Sequence, residues 1–266
     1  MNTTLTQSSN KVLAQFDKNE ATRFTTPLAD FIKATGYDKI ALRFNKGTGL
    51  VSFKGWNEAK SVIMYAEYVA DKLSSLETTE DTRVHIYQLG EFLSLAKVFN
   101  TGLTFSYDGN DFNLANENGE LAVKFFPCDE SVVNKCPESL KINEETAWHN
   151  TFVWDSAAYT QFIRGAQTLA HNFLIFDGKK GENKIVLSVS EKSKGMKVTT
   201  LKTVINVESE NKDTFRVILD KPNFLSPITS SIGKYTVSVG TRFIRLVGES
   251  EGHKATYYIT SVQDTE

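Results

Sequence analysis

Short segments in which apolar residues alternate with polar ones, or run together, dominate this chain and predict a mostly antiparallel β protein. In the first part of the sequence these segments are residues 39–44, 49–54, 61–66, 83–87, 103–107 and 121–126. In the second part they are residues 184–189, 197–206, 214–219, 235–239, 242–247 and 255–261. Turn-forming sequences rich in Gly, Asn and Asp separate several of these segments, as is typical of strands joined by short turns.

Other segments carry the spacing of an amphipathic helix. The predicted helices are residues 26–34, 90–99, 155–170 and 220–228. We expect Thr26 to cap the first helix with Pro27 at its first position, and Asp155 to cap the third helix. Four helices among about a dozen strands indicate an α+β fold.

Two short sequence words recur at nearly one spacing and indicate an internal duplication. Phe-Ile-Lys at residues 31–33 returns as Phe-Ile-Arg at residues 162–164, an offset of 131. Phe-Leu-Ser at residues 92–94 returns at residues 224–226, an offset of 132. Because both words lie in predicted helices between strands, we infer two copies of one fold of about 130 residues each. The expected organisation is an N-terminal extension at 1–22, a first domain at 23–127, a linker at 128–146 and a second domain at 147–266.

Composition narrows the class of protein. The chain has 40% hydrophobic residues, 23% charged residues and a net charge of −2, which excludes a disordered tail or a broadly basic nucleic-acid coat. Two cysteines, Cys128 and Cys136, exclude a disulfide scaffold and are expected to be free thiols. No apolar run is long enough for a membrane helix, and the first residues lack a secretory signal, so we expect a soluble, cytoplasmic protein.

The sequence offers no positive support for an enzyme. Residues 248–252 match the Gly-x-Ser-x-Gly nucleophile elbow and His253 follows, but they lie between two predicted strands, so we expect a hairpin turn. The glycine-lysine pairs lack the spacing of a phosphate-binding loop, and neither the cysteines nor the histidines have the spacing of a metal site. We therefore expect no catalytic residues, no metal and no cofactor.

The solvent-facing sides of the predicted helices carry cations although the whole chain is acidic. Arg164 and His171 lie on the polar face of the third helix, while Lys33, Lys97 and Lys221 come from the other three helices. For one helix alone, a solvated face is the simpler interpretation. Four such faces on duplicated domains favour a shared basic surface that binds phosphates without reading bases.

Several stretches resemble the DNA sliding clamps, above all the DNA polymerase accessory proteins of T4-like bacteriophages. The resemblance rests on Tyr-Gln-Leu-Gly-Glu-Phe-Leu-Ser at 87–94, on Phe-Phe-Pro-Cys-Asp-Glu-Ser-Val-Val at 125–133, and on the segment 233–258. It extends loosely from about residue 26 to the C-terminus, and roughly the first 20 residues are extra relative to that family.

The resemblance implies duplicated clamp domains, with antiparallel sheets outside and two helices per domain lining a ring. It further implies a homotrimer that encircles double-stranded DNA without sequence specificity and tethers the replicative DNA polymerase as a processivity factor. A separate clamp loader ATPase would load the ring, in the host cytoplasm if the protein is viral. By the same resemblance, the inner cations Lys33, Lys97, Arg164, His171 and Lys221 would bind DNA. An apolar pocket between the domains would bind partner tails, and we place it at Phe126, Pro127, Tyr258 and Ile259.

Two other classes of function stay open at this point. An oligomeric structural or virion β-protein with no DNA role would assemble through its sheet edges, and charge reversal at Lys33, Lys97 and Arg164 would then leave its function intact. An enzyme with a site outside the known motifs would need a deep polar cleft instead of a ring.

Overall fold

The computed structural model describes residues 11–45, 49–69, 81–99, 102–116, 118–133, 135–144, 147–191, 199–229, 231–250 and 252–262. Within these ranges, sixteen strands and four α-helices form three antiparallel sheets, and one turn of 3-10 helix covers Glu130–Val132. Residues 1–10 of the expected N-terminal extension and residues 134, 145 and 146 of the expected linker lie outside the described part of the chain. So do residues 197–198 of a predicted strand.

The two halves of the chain have the same order of elements. The first half contains β1 (Lys11–Asp17), α1 (Lys18–Thr35), β2 (Ile40–Phe44), β3 (Leu50–Trp56), β4 (Val62–Val69), β5 (Thr82–Ile86), α2 (Leu89–Ala96), β6 (Gly102–Tyr107), β7 (Phe112–Ala115) and β8 (Ala122–Phe125). The second half contains β9 (Trp148–Asp155), α3 (Ser156–Thr168), β10 (Phe173–Gly178), β11 (Lys184–Ser190), β12 (Leu201–Asn206), β13 (Phe215–Asp220), α4 (Lys221–Leu225), β14 (Lys234–Gly240), β15 (Phe243–Ser250) and β16 (His253–Thr260). Each half is therefore one strand, one helix, four strands, one helix and three strands.

The pattern of strand pairing, like the order of elements, is the same in the two halves. The first half forms the orders β1-β6-β7-β8 and β5-β2-β3-β4, and the second forms β9-β14-β15-β16 and β13-β10-β11-β12. The halves join where β4 pairs with β16, which merges two of these four-stranded units into one eight-stranded sheet. In the described part of the chain, β8 and β12 are left as outer strands of their sheets, and they are the counterparts of β16 and β4.

Each half buries an aromatic core where its first helix closes over the sheets. In the first half, Phe16 of β1 stacks on Phe24 of α1 with ring centroids 4.9 Å apart, and both are buried. In the second half, Trp154 of β9 packs on Phe162 of α3 with ring centroids 5.8 Å apart. Aromatic rings dominate core energetics because each buries a large apolar area.

These positions correct the register of the internal repeat. Asp17 caps α1 and Asp155 caps α3, so the first helices correspond at an offset of 138, not 131. Phe24 is the counterpart of Phe162, and the recurrence of Phe31 as Phe162 is a coincidence of sequence. The second word is different, because Phe92 of α2 and Phe224 of α4 occupy equivalent buried positions at the predicted offset of 132.

The first helix begins nine residues earlier than predicted, with Asp17 as its N-cap instead of Thr26. Asp17 accepts hydrogen bonds from the backbone N–H groups of Asn19 and Glu20, and Glu20 accepts one from Asp17 in return, which is a complete capping box. Pro27 therefore lies inside the helix. Because β1 pairs with β6, residues 11–22 belong to the first half's fold and are not an extension.

Three smaller expectations can also be compared with the structure. Both cysteines are free thiols, as predicted. Of the Gly-x-Ser-x-Gly segment, residues 248–250 belong to β15, where Ser250 pairs with His253 of β16, and residue 251 lies outside the described part of the chain. Among the described residues, no helix is long and apolar enough to span a membrane.

Candidate nucleic-acid interface and partner surface

The four helices form one continuous layer against the sheets. α1 packs directly on α2. The hydroxyl of Ser226, just after α4, donates to the Ala34 carbonyl of α1 at 3.5 Å, and Lys221 at the start of α4 donates to carbonyls at the end of α3. The layer therefore runs α2, α1, α4, α3 and crosses the boundary between the two halves.

Three of the five predicted DNA-binding residues are exposed on this layer. Lys33 and Arg164 lie on α1 and α3, and Lys97 is the residue that follows α2. The ammonium group of Lys33 also donates to the Ile228 carbonyl at 3.1 Å, so this side chain links the two halves. These three exposed cations therefore come from three helices of the same layer.

Sequence reasoning missed a fourth exposed cation, Lys18, because it placed the start of α1 too late. A groove of about 350 Å³ runs between α1 and α2, with Lys18 and Lys97 among its lining residues. Thr22, Thr25 and Thr26 also line it, and each hydroxyl donates to the carbonyl four residues earlier in the helix. Cations flanking a row of short side chains leave room for a phosphate backbone to approach the helices.

The other two predicted DNA-binding residues have structural roles instead. The ammonium group of Lys221 is half-buried and donates to the carbonyls of Ala166 and Leu169 at 3.1 and 2.5 Å, which caps the C-terminus of α3. His171 has Nδ1 2.9 Å from a carboxylate oxygen of Glu191 and Nε2 2.6 Å from the Thr199 carbonyl. Both side chains are half-buried as well as held by intramolecular contacts, whereas Lys33 is exposed, so Lys221 and His171 are the less accessible to a ligand.

On the opposite face of the eight-stranded sheet, a row of aromatic side chains crosses the junction between the halves. Tyr258 of β16 lies 6.0 Å from the ring of Tyr65 on β4 and 6.1 Å from Phe243 on β15, measured between ring centroids. Phe243 contacts Trp148, and the guanidinium of Arg245 stacks 4.5 Å from the Trp148 ring. A half-buried aromatic row of this kind can pack against apolar side chains of a partner.

The segment that connects the halves lies along this aromatic row. The Tyr65 hydroxyl donates to the Pro137 carbonyl at 3.1 Å, and burial raises the pKa of this phenol. Glu144 accepts hydrogen bonds from Arg245 and from the indole of Trp148 at 2.7 and 2.9 Å. These contacts hold the linker on the sheet at both ends of the row.

The predicted partner-binding residues separate in the structure. Tyr258 belongs to the aromatic row, whereas Ile259 points to the opposite face and is fully buried in the core, so Ile259 is wrong as a contact residue. Phe126 is 75% exposed and Pro127 is half-buried, and both follow β8 at the edge of a different sheet. The structure therefore does not build one pocket from the four.

Comparison with known proteins adds structural likeness and little sequence likeness. No family model matches the sequence, and no curated protein matches it either. Among solved structures, PCNA of A. fulgidus, determined with the C-terminal region of FEN-1, aligns with a TM-score of 0.72 at 15% identity, over 95% of this chain and 99% of that one.

The same similarity extends to clamps of other organisms. PCNA of Entamoeba histolytica aligns with a TM-score of 0.71 at 11% identity, over 94% of this chain and 98% of that one. The Helicobacter pylori beta clamp aligns with a TM-score of 0.65 at 14% identity, over 96% of this chain and 67% of that longer one. The chain has the sliding-clamp fold.

This outcome confirms the fold class expected from the sequence, an α+β clamp fold with duplicated halves. The neighbours named above are archaeal, protozoan and bacterial clamps, so the likeness to T4-like bacteriophage clamps stays a prediction. A structural likeness at identities of 11–15% establishes the clamp fold alone and carries no function over to this chain.

Proposed function

We propose that this protein is a subunit of a closed, ring-shaped sliding clamp that encircles duplex DNA and tethers a replicative DNA polymerase as its processivity factor. The observation that carries the proposal is the repeated strand pairing. The joint between the two halves uses β4 and β16, and their counterparts β12 and β8 are outer strands. A chain built in this way can repeat its internal joint with a neighbouring copy.

The internal joint defines what the joint between chains would look like. β4 and β16 pair antiparallel over seven residues, from Tyr68 opposite His253 to Val62 opposite Ile259. If β12 of one chain pairs with β8 of the next, the contact is head-to-tail, and such heterologous contacts close into rings when the rotation permits. Pairing would also cover outer strands that are otherwise open to aggregation.

Exposed apolar side chains at both outer strands support this contact. Val204 on β12 is 57% exposed, Leu121 immediately before β8 is 44% exposed, and Phe126 immediately after β8 is 75% exposed. Pairing of β12 with β8 would remove these apolar side chains from water, which favours the contact. We accordingly reassign Phe126 from a partner pocket to the contact between subunits.

Three chains with two domains each would give six domains and twelve helices around the hole, in a homotrimer. Lys18, Lys33, Lys97 and Arg164 would then face the DNA. Phosphate contacts of this kind are independent of sequence and weak enough to allow sliding, while the acidic remainder of the protein would repel DNA elsewhere.

The aromatic row around Tyr258 would receive an apolar segment of the polymerase, or of a separate clamp loader ATPase. Binding at this face leaves the helix layer free for DNA, and tethering raises the effective concentration of the polymerase at the primer end. In this proposal the chain acts without catalysis and without a cofactor, in the cytoplasm of the cell, or of the host if the protein is viral.

The ring is tested by measuring molar mass with light scattering on a sizing column. We expect a species of about 89 kDa, three times the 29.8 kDa chain. Val204→Lys should convert it to a species of about 30 kDa, because a charge on β12 disrupts the contact with β8. Val153→Lys is the matched control, since Val153 is 63% exposed on β9, which takes no part in the proposed contact, and this variant should keep the trimer mass.

Encirclement of DNA needs a second assay. Protein reassembled from dilute solution around nicked circular plasmid should co-elute with the circle and be released when a restriction enzyme linearises it. A monomer at every concentration would overturn the ring. A trimer that associates equally with circular and linear DNA, or with neither, would favour the structural β-protein.

A further inference from the structure

The outer face of the eight-stranded sheet carries a row of charged side chains in strict cross-strand register. Lys234 lies opposite Asp155 on one side and opposite Glu249 on the other. Glu249 lies opposite Lys254, with the ammonium and carboxylate 3.0 Å apart, and Lys254 lies opposite Glu67. Residues directly opposite in an antiparallel pair share a face, so these opposite charges stabilise each other along the row.

At the end of the row on β2 and β5, the opposed side chains no longer have opposite charges. Glu67 lies opposite Ser52, Ser52 lies opposite Arg43, and Arg43 on β2 lies opposite Arg83 on β5. Two like charges directly opposite are unfavourable in a sheet. Arg43 and Arg83 are therefore an exception at the end of a row in which the neighbouring charged pairs are complementary.

The second half of the chain lacks this exception at the equivalent position. There, Asp177 on β10 lies opposite Arg216 on β13, and the guanidinium contacts both carboxylate oxygens at 3.1 Å. Arg216 is the structural counterpart of Arg83, whereas Arg43 stands where the second half has an aspartate. The first half thus carries an excess of positive charge that its own duplicate does not carry.

The arginine pair borders a cavity of about 290 Å³ between the sheet and the linker. Arg43, Lys54, Tyr65, Glu67, Arg83 and Glu138 are among its lining residues. Arg43 is paired with Asp81 through one terminal nitrogen at 2.5 Å, but its enclosed Nε makes no hydrogen bond within the described residues. The cavity lining therefore combines positive charge with one donor that has no partner among the described residues.

One linker side chain already occupies part of this site. The carboxylate of Glu138 lies 2.8 Å from the ammonium of Lys54, which lowers the pKa of the Glu138 carboxyl, with Arg83 and Arg43 adding to the effect from farther away. The Glu138 side chain is nevertheless 74% exposed, so its attachment is weak and exchangeable. A carboxylate can therefore be accommodated beside Lys54 in this cavity.

We propose that the cavity bounded by Arg43, Lys54 and Arg83 is a docking site for an acidic segment of a partner protein, whose carboxylate replaces that of Glu138. Arginine pairs recognise carboxylates through planar, paired N–H groups, which suits one or two acidic side chains on a peptide. A nucleic-acid backbone fits less well, because three cations bordered by Glu67 suit one or two separate carboxylates, whereas a continuous line of phosphates would have to pass Glu67. The site is independent of the ring, since the first half and the linker of a single chain form it.

The experiment uses the full-length chain and a fluorescein-labelled hexaglutamate peptide as the probe, followed by fluorescence anisotropy at low ionic strength. We expect saturable binding. Arg83→Gln should weaken it about threefold, the size expected for one partly exposed charge contact. Glu138→Gln should strengthen it by a similar factor, because the competing carboxylate is gone.

Arg216→Gln is the matched control, because it removes the same charge at the equivalent position of the second half. It should leave peptide affinity unchanged. Equal weakening by Arg83→Gln and Arg216→Gln would overturn the proposal in favour of general surface charge, and so would weakened binding in Glu138→Gln. Absence of peptide binding, or duplex DNA that binds the chain through Arg83 while the peptide does not, would overturn it as well.

Discussion

Whether a residue of a strand contacts a partner or packs in the core depends on which face of the sheet it occupies. Tyr258 and Ile259 are adjacent in sequence, yet Tyr258 lies in the aromatic row and Ile259 in the core. A strand alternates its faces at every residue, so a site assigned to two consecutive positions can be right for only one of them. Nothing in an apolar pair such as Tyr-Ile distinguishes the outer residue without knowledge of the neighbouring strands.

His253 makes the strongest prediction at the residue scale. It is buried on the inner face of β16, its Nδ1 lies 3.4 Å from the Ser250 hydroxyl, and its enclosed Nε2 has no hydrogen-bond partner within the described residues. Burial lowers the pKa of this imidazole from 6.5 to about 4. Between pH 6.5 and pH 4, the His253 imidazole is therefore mostly neutral in the folded protein and mostly protonated in the unfolded chain.

A pKa that is lower in the folded state contributes stability above pH 6.5, and this contribution is lost as the pH falls towards 4. Between pH 7 and pH 4.5, His253→Gln should lose about 2 kcal/mol less unfolding free energy than the wild type. Urea unfolding at several pH values measures the difference. Parallel pH profiles for the two proteins would contradict the assignment, whatever their absolute stabilities.

At the scale of elements, the sequence predicted strands more reliably than helix starts or the repeat register. Twelve strands were anticipated near their observed positions, but β1, β7, β9 and β10 were not. Asp17 and Glu20 carry the spacing of a capping box, which was visible in the sequence. Thr26 followed by Pro27 is a stronger sequence signal for a helix start. The pairing of β1 with β6, which lies far along the chain, cannot be predicted from local sequence.

Helix capping gives a prediction at this scale. Asp17 accepts two backbone hydrogen bonds, at 2.8 and 2.9 Å, whereas Asp155 accepts one at 2.9 Å. Asp17→Ala should cost between about 1 and 2 kcal/mol of unfolding free energy, and Asp155→Ala about 1 kcal/mol or less. Chemical denaturation compares them with Asn19→Ala, an exposed control in the first turn of α1. A larger loss in Asp155→Ala would contradict the assigned difference between the caps.

At the scale of the whole molecule, the decisive property is that cations from separate helices share one layer. The sequence indicated this only as a pattern of exposed faces, and it assigned Lys221 and His171 to the same surface. Both of those side chains were misjudged for one reason: each finds backbone carbonyl or carboxylate acceptors that are close in space and distant in sequence.

The shared layer predicts where charge reversal affects DNA binding. Lys97→Glu and Arg164→Glu should each weaken binding to duplex DNA and reduce the slope of log affinity against log salt by roughly one. Lys184→Glu is the control, since Lys184 is exposed at the start of β11, where it lines the groove on the outer face of its sheet. Titration by fluorescence anisotropy over a range of salt concentrations measures the slopes. An equal effect of all three substitutions would assign the binding to total charge.

The unequal lengths of the outer strands have a consequence for how a ring of these chains would open. Inside the chain, seven residue pairs between β4 and β16 join the halves. Asp30 of α1 strengthens this joint by accepting hydrogen bonds from Thr229 and Ser231. Between chains, the contact would be formed by β12 and by β8, which has only four residues. Such a ring would have three strong joints within the chains and three weaker contacts between them. Circular DNA could enter where one of the weaker contacts separates, without any subunit unfolding.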